Sequence, residues 1–136
     1  MQDKGTKMKN ISDEVKYNSD RFWEIIHDYE YAQAECAKLD KTQQDLLHAI
    51  EFSTYDDRGK ISTQLAKVRK ERRMHKDTMG LLEPMYTLLK SPSGADFTNR
   101  LTQVLGQVRK QERYLQDKCY YPRVMKNLKF INGQKV

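Results

Sequence analysis

The sequence predicts an all-α protein: an antiparallel helical hairpin of coiled-coil type, with a third helix packed against it and a basic C-terminal tail. Three stretches carry apolar residues at steps of three and four, which places each set on one face of a helix. Charged residues make up 32% of the 136 residues and apolar residues 38%, a balance that suits thin helices with much surface per unit of core. The chain has no run of about 18 apolar residues, so no membrane-spanning segment is predicted.

The first helix is predicted to begin at Ser12 or Ser19, since either side chain can cap it, and to end near Ile50. Residues 1–11 ahead of it are predicted to form a polar, mobile arm. The apolar face of this helix consists of Phe22, Ile25, Tyr29, Ala32, Cys36, Leu39, Gln43, Leu46 and Ile50.

The second helix is predicted from about Asp56 to Met79, with Ser53 as the start signal because its hydroxyl can accept from early backbone amides. Its apolar face consists of Ile61, Leu65, Val68, Arg72, His75, Met79 and Leu82. Proline at 84 lacks a backbone donor and clashes with the carbonyl of Gly80, which predicts a kink or break near Gly80. A short separate segment, 81–90, is expected beyond it.

A loop over 91–94 is predicted from its Ser-Pro-Ser-Gly sequence, and a third helix from about Ala95 to Cys119. The apolar face of the third helix consists of Phe97, Leu101, Val104, Val108, Gln111 and Leu115. The helical domain is therefore predicted to span residues 12–119. The basic tail, 120–136, is expected either to dock as a short helix or to remain mobile.

A turn near Ser53 would lay the first two helices side by side in opposite directions. That arrangement places Cys36 and Leu39 near Val68 and Arg72. Arg72 occupies a position in the apolar seam, where a polar group fixes the register at some cost in stability, and it is expected to pair near Glu35.

The net charge of +6 is unevenly distributed, because the first helix is acidic while the second helix and the tail are basic. A stripe of Lys and Arg can neutralise phosphates or an acidic protein surface. The candidate interaction residues are Arg69, Lys70, Arg73, Lys76, Arg109, Lys110 and Arg113. The alternative is that the acidic first helix neutralises the basic second helix within the chain, through surface pairs worth only about 0–1 kcal/mol each.

Aromatic side chains that fall outside the apolar faces are candidate anchors for a partner, because Trp and Tyr are enriched at binding hot spots. They are Trp23, Tyr31, Tyr120 and Tyr121. Packing in the core is the alternative role for the first two.

No catalytic or cofactor motif is present, and the protein is expected not to be an enzyme and to hold no cofactor. Glu24 and His27 have the spacing of helical di-iron ligands, but His48 lies about 30 Å further along the same helix, so no metal site is predicted. Cys36 falls on an apolar face and is expected to pack as a small hydrophobe. The absence of an apolar leader and of paired cysteines indicates a cytoplasmic protein.

Three segments together resemble small, uncharacterised helical accessory proteins of Gram-positive phages and prophages: 45–51 (Asp-Leu-Leu-His-Ala-Ile-Glu), 67–77 (Lys-Val-Arg-Lys-Glu-Arg-Arg-Met-His-Lys-Asp) and 82–84 (Leu-Glu-Pro). The resemblance covers about residues 40–90. It implies an accessory role, such as interference with a host or defence protein, and it implies no site residues.

These observations predict a non-enzymatic protein-interaction module, with a phage-encoded stoichiometric inhibitor of a host or defence nuclease complex as its most specific form. A nucleic-acid-binding accessory protein that uses the basic stripe is one alternative. A self-assembling coiled-coil scaffold, with a homodimer as its simplest form, is another, because the apolar seams can also pair between chains.

Overall fold

The computed structural model describes residues 10–120, 123–125 and 134–135, and it confirms the all-α class. The helices are α1 (Ile11–Phe52), α2 (Tyr55–Lys90) and α3 (Pro92–Asp117). Two-residue strands, β1 (Cys119–Tyr120) and β2 (Gln134–Lys135), pair antiparallel after α3. The described residues fall into two compact units: residues 20–96, and residues 10–19 together with those from Phe97 onward.

The unit of residues 20–96 is the predicted antiparallel hairpin of α1 and α2. Leu39 and Leu46 of α1 form a buried cluster with Val68 of α2, and Ile61 and Leu65 pack against it. Every residue of the two predicted apolar faces is buried or half-buried. Removal of this apolar surface from water is the main force that holds the two helices together.

Arg72 lies beside Cys36 as predicted, with the Cys36 Sγ atom 3.7 Å from the Arg72 carbonyl oxygen. Its ion pair differs from the expectation, because the guanidinium group bonds to Asp40 rather than to the region of Glu35. The backbone of Arg72 is therefore in the expected register, and its long side chain reaches one further turn along α1.

The turn between the two helices begins one residue later than predicted. Thr54 is the N-cap of α2, and its hydroxyl accepts from the Asp57 backbone amide at 3.4 Å. The Ser53 hydroxyl instead donates to the Ile50 carbonyl at 3.1 Å, so it satisfies an acceptor at the end of α1.

The predicted break near Gly80 is wrong, because α2 continues through Pro84 to Lys90. A proline inside a helix costs about 3 kcal/mol, so the segment after it needs compensating contacts. Leu89 is buried, and the Tyr86 ring stacks on Tyr29 of α1 with ring centroids 4.0 Å apart. Tyr86 and Leu89 extend the steps of three and four beyond Leu82, which is the sequence signal for an unbroken helix.

The predicted loop over 91–94 is also wrong, because Ser91 alone separates α2 from α3. Its backbone amide donates to the carbonyls of Thr87 and Leu88, which ends α2. Its hydroxyl accepts from the Gly94 amide at 3.1 Å and its carbonyl accepts from the Ala95 amide at 2.8 Å, which begins α3. Pro92 occupies the first position of α3, where a missing N–H has no cost.

In the second unit, the buried face of α3 differs from the predicted face. The buried and half-buried residues of α3 follow steps of four and three, and they are Gly94, Thr98, Leu101, Leu105, Val108 and Glu112. Phe97, Val104 and Leu115 of the predicted face are 53%, 40% and 50% exposed. α3 therefore has two adjoining apolar faces that share Leu101 and Val108, and the sequence analysis identified the outer one.

The start of α1 is capped by a residue of α3. The helix begins at Ile11, and the backbone amide of Ser12 donates to Glu112 Oε2 at 3.1 Å. The hydrogen bonds from Ser12 lower the pKa of the Glu112 carboxyl, and nearby Arg109 adds a smaller effect in the same direction. A carboxylate at this position also interacts favourably with the positive end of the helix dipole.

Replacing Glu112 by Gln is expected to lower the stability of the protein at neutral pH, because the amide keeps an acceptor but loses the charge. A carboxyl whose pKa is lowered by folding stabilises the protein above its unfolded-state pKa, and that contribution is lost as the pH falls through the folded-state pKa. Urea unfolding of both proteins should therefore give curves that differ at pH 7 and converge in acid. A difference that stays constant down to acid pH would contradict this role.

The described part of the tail pairs as a strand rather than as a helix, with Cys119 opposite Lys135 and Tyr120 opposite Gln134. The predicted arm overlaps the described residues only at Asn10 and Ile11, and Ile11 is already helical. Residues 1–9, 121–122, 126–133 and 136 lie outside the described residues. The predicted boundaries of the arm and the tail therefore stay predictions.

Candidate interaction surface

The basic residues of α2 that were predicted from the sequence are exposed in the hairpin unit. They are Lys67, Arg69, Lys70, Arg73 and Lys76. Among the described residues, none of these five takes part in an ion pair or side-chain hydrogen bond, whereas Arg72 bonds to Asp40 and Lys90 lies 3.8 Å from Glu30. Neutralisation by the acidic α1 therefore involves two basic residues of α2, and these five remain available for a partner.

Helix periodicity explains this exposure. Val68, Arg72 and His75 face α1 at steps of four and three, and the five basic residues occupy positions between them. Arg69, Lys70 and Arg73 surround a shallow depression of about 330 Å³, to which Leu65 and Ala66 contribute apolar atoms. The surface thus combines cationic groups with some apolar contact area.

A line of residues on the outer side of α2 continues from basic to apolar, and we call it the outer stripe. Its members are spaced by three, four or seven residues, and they are Lys67, Lys70, Met74, Leu81, Met85 and Leu88. All six are exposed, and Leu81 is 83% exposed. The stripe is about 31 Å long at 1.5 Å per residue.

Sequence analysis missed the apolar half of the outer stripe. Its residues lie close to those of the inner face on the helix surface, and the predicted break at Gly80 divided the stripe. Steps of seven, four and three from Met74 through Leu81 and Met85 to Leu88 were the available signal. Such a signal becomes interpretable only when the helix is known to be continuous.

The remaining basic candidates belong to α3 in the other unit, and all three are exposed. Arg109 and Arg113 line a depression of about 620 Å³ near the start of α1, with Glu112 and Leu115. Lys110 and Arg113 line another of about 640 Å³ with Tyr114. Their role as interaction residues stays a prediction, as does that of the α2 residues.

The candidate aromatic anchors on α1 are exposed rather than packed in the core. Trp23 is 42% exposed and Tyr31 is 62% exposed. The Tyr31 ring makes an edge-to-face contact with His75 of α2, with ring centroids 5.9 Å apart. The Tyr120 side chain and Tyr121 lie outside the described part of the chain.

Polar contacts near the far end of α2 connect it to α1. The Tyr86 hydroxyl donates to Glu30 Oε2 at 3.0 Å, and the same oxygen lies 3.8 Å from Lys90 Nζ. This hydrogen bond raises the pKa of Tyr86, because the bond to a carboxylate requires the protonated phenol. The contacts position the segment after Pro84 and leave the outer stripe uncovered.

The described residues contain no group of three or more His, Cys, Asp or Glu side chains arranged to hold a metal ion. Cys36 and Cys119 are free thiols, and both are half-buried. None of the helices in the described ranges combines the length and the apolar character needed to cross a membrane.

Comparison of the chain with protein-family models, with curated proteins and with solved structures found no match.

Proposed function

We propose that the chain is a non-enzymatic binding module that docks onto a partner protein through the outer stripe of α2. The observation that carries this proposal is the continuity of the stripe, in which exposed Lys67 and Lys70 precede exposed Met74, Leu81 and Leu88 on one side of the helix. A helix of this kind fits a groove that is apolar along most of its length and acidic at one end.

The apolar half of the stripe favours a protein over a purely ionic partner. Exposed apolar residues in a continuous line mark interaction sites more often than scattered ones do. Met74 and Met85 have flexible, polarizable side chains that adapt to irregular surfaces. The basic half then contributes orientation and association rate more than affinity.

The finer part of the proposal concerns the target. The resemblance to small phage proteins supports a host or defence protein, such as a nuclease complex, as the class of target, and binding in a fixed ratio as the mode of inhibition. A complex that handles nucleic acid presents cationic channels together with acidic surfaces, and the acidic surfaces are complementary to the basic half of the stripe.

A second candidate function is binding to nucleic acid, and a separate observation favours it. Arg69, Arg73 and Lys76 are exposed beside the stripe, at steps of four and three, and no acidic side chain of the described residues pairs with them. A cationic row of this spacing contacts phosphates without reading sequence, and its affinity falls steeply with added salt.

Two sets of substitutions are expected to separate the candidates. Met74→Glu with Leu81→Glu should abolish capture of a partner protein from nuclease-treated lysate, because charges would replace the apolar contacts. Arg69, Arg73 and Lys76, all changed to Glu, should abolish any gel shift of a random-sequence duplex. The Gln64→Glu variant is the matched control, since it adds a charge to α2 away from both surfaces.

Circular dichroism should show unchanged helix content in all of these variants, because every substituted residue is exposed. A captured target should saturate at a fixed ratio and show no covalent change by mass spectrometry. Capture that depends on intact nucleic acid and survives the Met74 and Leu81 changes would reject the leading proposal in favour of the second.

A further inference from the structure

The outer face of α3 is a heptad seam that nothing in the proposed function uses. Steps of four and three connect its members, which are Phe97, Leu101, Val104, Val108, Gln111 and Leu115. Leu101 and Val108 are half-buried because they also border the inner face, whereas Phe97, Val104 and Leu115 remain 53%, 40% and 50% exposed. A seam of this spacing is the pattern by which one helix packs against another over about 27 Å.

We propose that this seam binds a second copy of the chain, with the two α3 helices antiparallel about a two-fold axis at the level of Gly106. In that register, residues equidistant from Gly106 face each other. Phe97 then lies opposite Leu115 of the second copy, and Val104 lies opposite Val108. Leu101 lies opposite Gln111, so each of these layers contains at least one apolar residue.

The pattern of the seam argues for a second copy over an unrelated partner. A two-fold interface requires a surface that is complementary to itself, and few helix faces satisfy this by chance. Here large residues meet at the ends of the seam, where Phe97 faces Leu115, and β-branched residues meet at the centre, where Val104 faces Val108. One polar residue, Gln111, fixes the register at some cost in stability.

The charges flanking the seam are compatible with this pairing. Residues beside an antiparallel seam face their own counterparts, so Gln107 lies opposite Gln107 of the second copy. Arg100 lies opposite Tyr114, and a guanidinium group beside an aromatic ring is favourable. No pair of like charges faces across the seam on this side, and like charges there would oppose association.

The direction of the pairing follows from the other side of α3. Thr98, Leu105 and Glu112 lie along that side, and Glu112 caps the start of α1 in its own chain. In an antiparallel pair these residues of both copies lie together on one side of the dimer, and Gln107 of both copies lies on the other. The cap on α1 is thereby retained in both chains. A parallel pair would place Leu105 and Glu112 on both sides of the interface.

Sedimentation of the full chain over a concentration series tests the proposal. The mass should rise from 16.1 kDa towards twice that value as the concentration increases. Val104→Lys should raise the dimer dissociation constant by at least about tenfold, because the two-fold axis places the new charge in the seam twice. Gln103→Lys is the matched control, since it adds the same charge one residue away and outside the seam, and it should dimerise like the unmodified chain.

A cross-link provides a second measurement that does not depend on the folding of the Val104→Lys variant. With Cys36→Ala and Cys119→Ser in the background, Gln107→Cys should form a symmetric disulfide under mild oxidation, while Gln103→Cys should not. A chain that stays at monomer mass throughout the series, a Val104→Lys variant that dimerises unchanged, or equal cross-linking of the two cysteine variants would each overturn the proposal. Occupation of the seam by the chain's own tail would appear as the first of these outcomes.

Discussion

Replacing Gly94 with alanine is expected to destabilise the protein by about 3 kcal/mol, because the corner between α2 and α3 has no room for a methyl group. A Cβ atom at Gly94 would lie 1.9 Å from the Leu88 carbonyl oxygen and 2.9 Å from the Leu89 Cα atom. Both are backbone atoms, so no side-chain movement relieves the overlap. The Leu88 carbonyl is also held in place, since it accepts from the Ser91 hydroxyl at 2.6 Å.

Gly106→Ala is the matched control for this substitution. Gly106 also lies inside α3, but a Cβ atom there would meet nothing within 4 Å. Alanine at an open position in a helix is expected to stabilise the protein by about 0.5–1 kcal/mol. Thermal and urea unfolding should therefore shift in opposite directions for the two variants. Equal effects would show that Gly94 is not under steric constraint.

Replacing Leu89 with alanine is expected to cost about 3 kcal/mol, because Leu89 is only 5% exposed and a cavity would remain in place of its side chain. Leu89 lies beyond Pro84, where the helix has lost one backbone hydrogen bond. If burial of this segment compensates for the proline, the loss of Leu89 should also increase proteolytic cleavage between Pro84 and Lys90.

Leu88→Ala is the control, since the adjacent side chain is 57% exposed on the outer stripe. Its effect on the free energy of unfolding is expected to stay within about 0.5 kcal/mol. Urea unfolding of the two variants measures the difference directly. An effect of Leu89→Ala no larger than that of Leu88→Ala would mean that packing does not hold the segment after Pro84.

The sequence by itself determined the hairpin. The faces from Phe22 to Ile50 and from Ile61 to Leu82 are the faces that the structure buries, and Cys36 lies beside Arg72 as the register predicts. Local chemistry suffices for this part, because a sustained apolar period fixes both the helix and its buried side. The exposed basic residues of α2 follow from the same period.

The tertiary structure alone decided the elements where two local signals compete. Pro84 and Gly80 favour a break, but the contacts of Tyr86 and Leu89 with the rest of the hairpin outweigh them. On α3, two apolar faces overlap, and the period cannot say which one the chain itself covers. Glu112 decides this by capping the amide of Ser12, a residue 100 positions away in sequence. Propensity and period act over a few residues, whereas burial and capping depend on which distant residues the folded chain brings together.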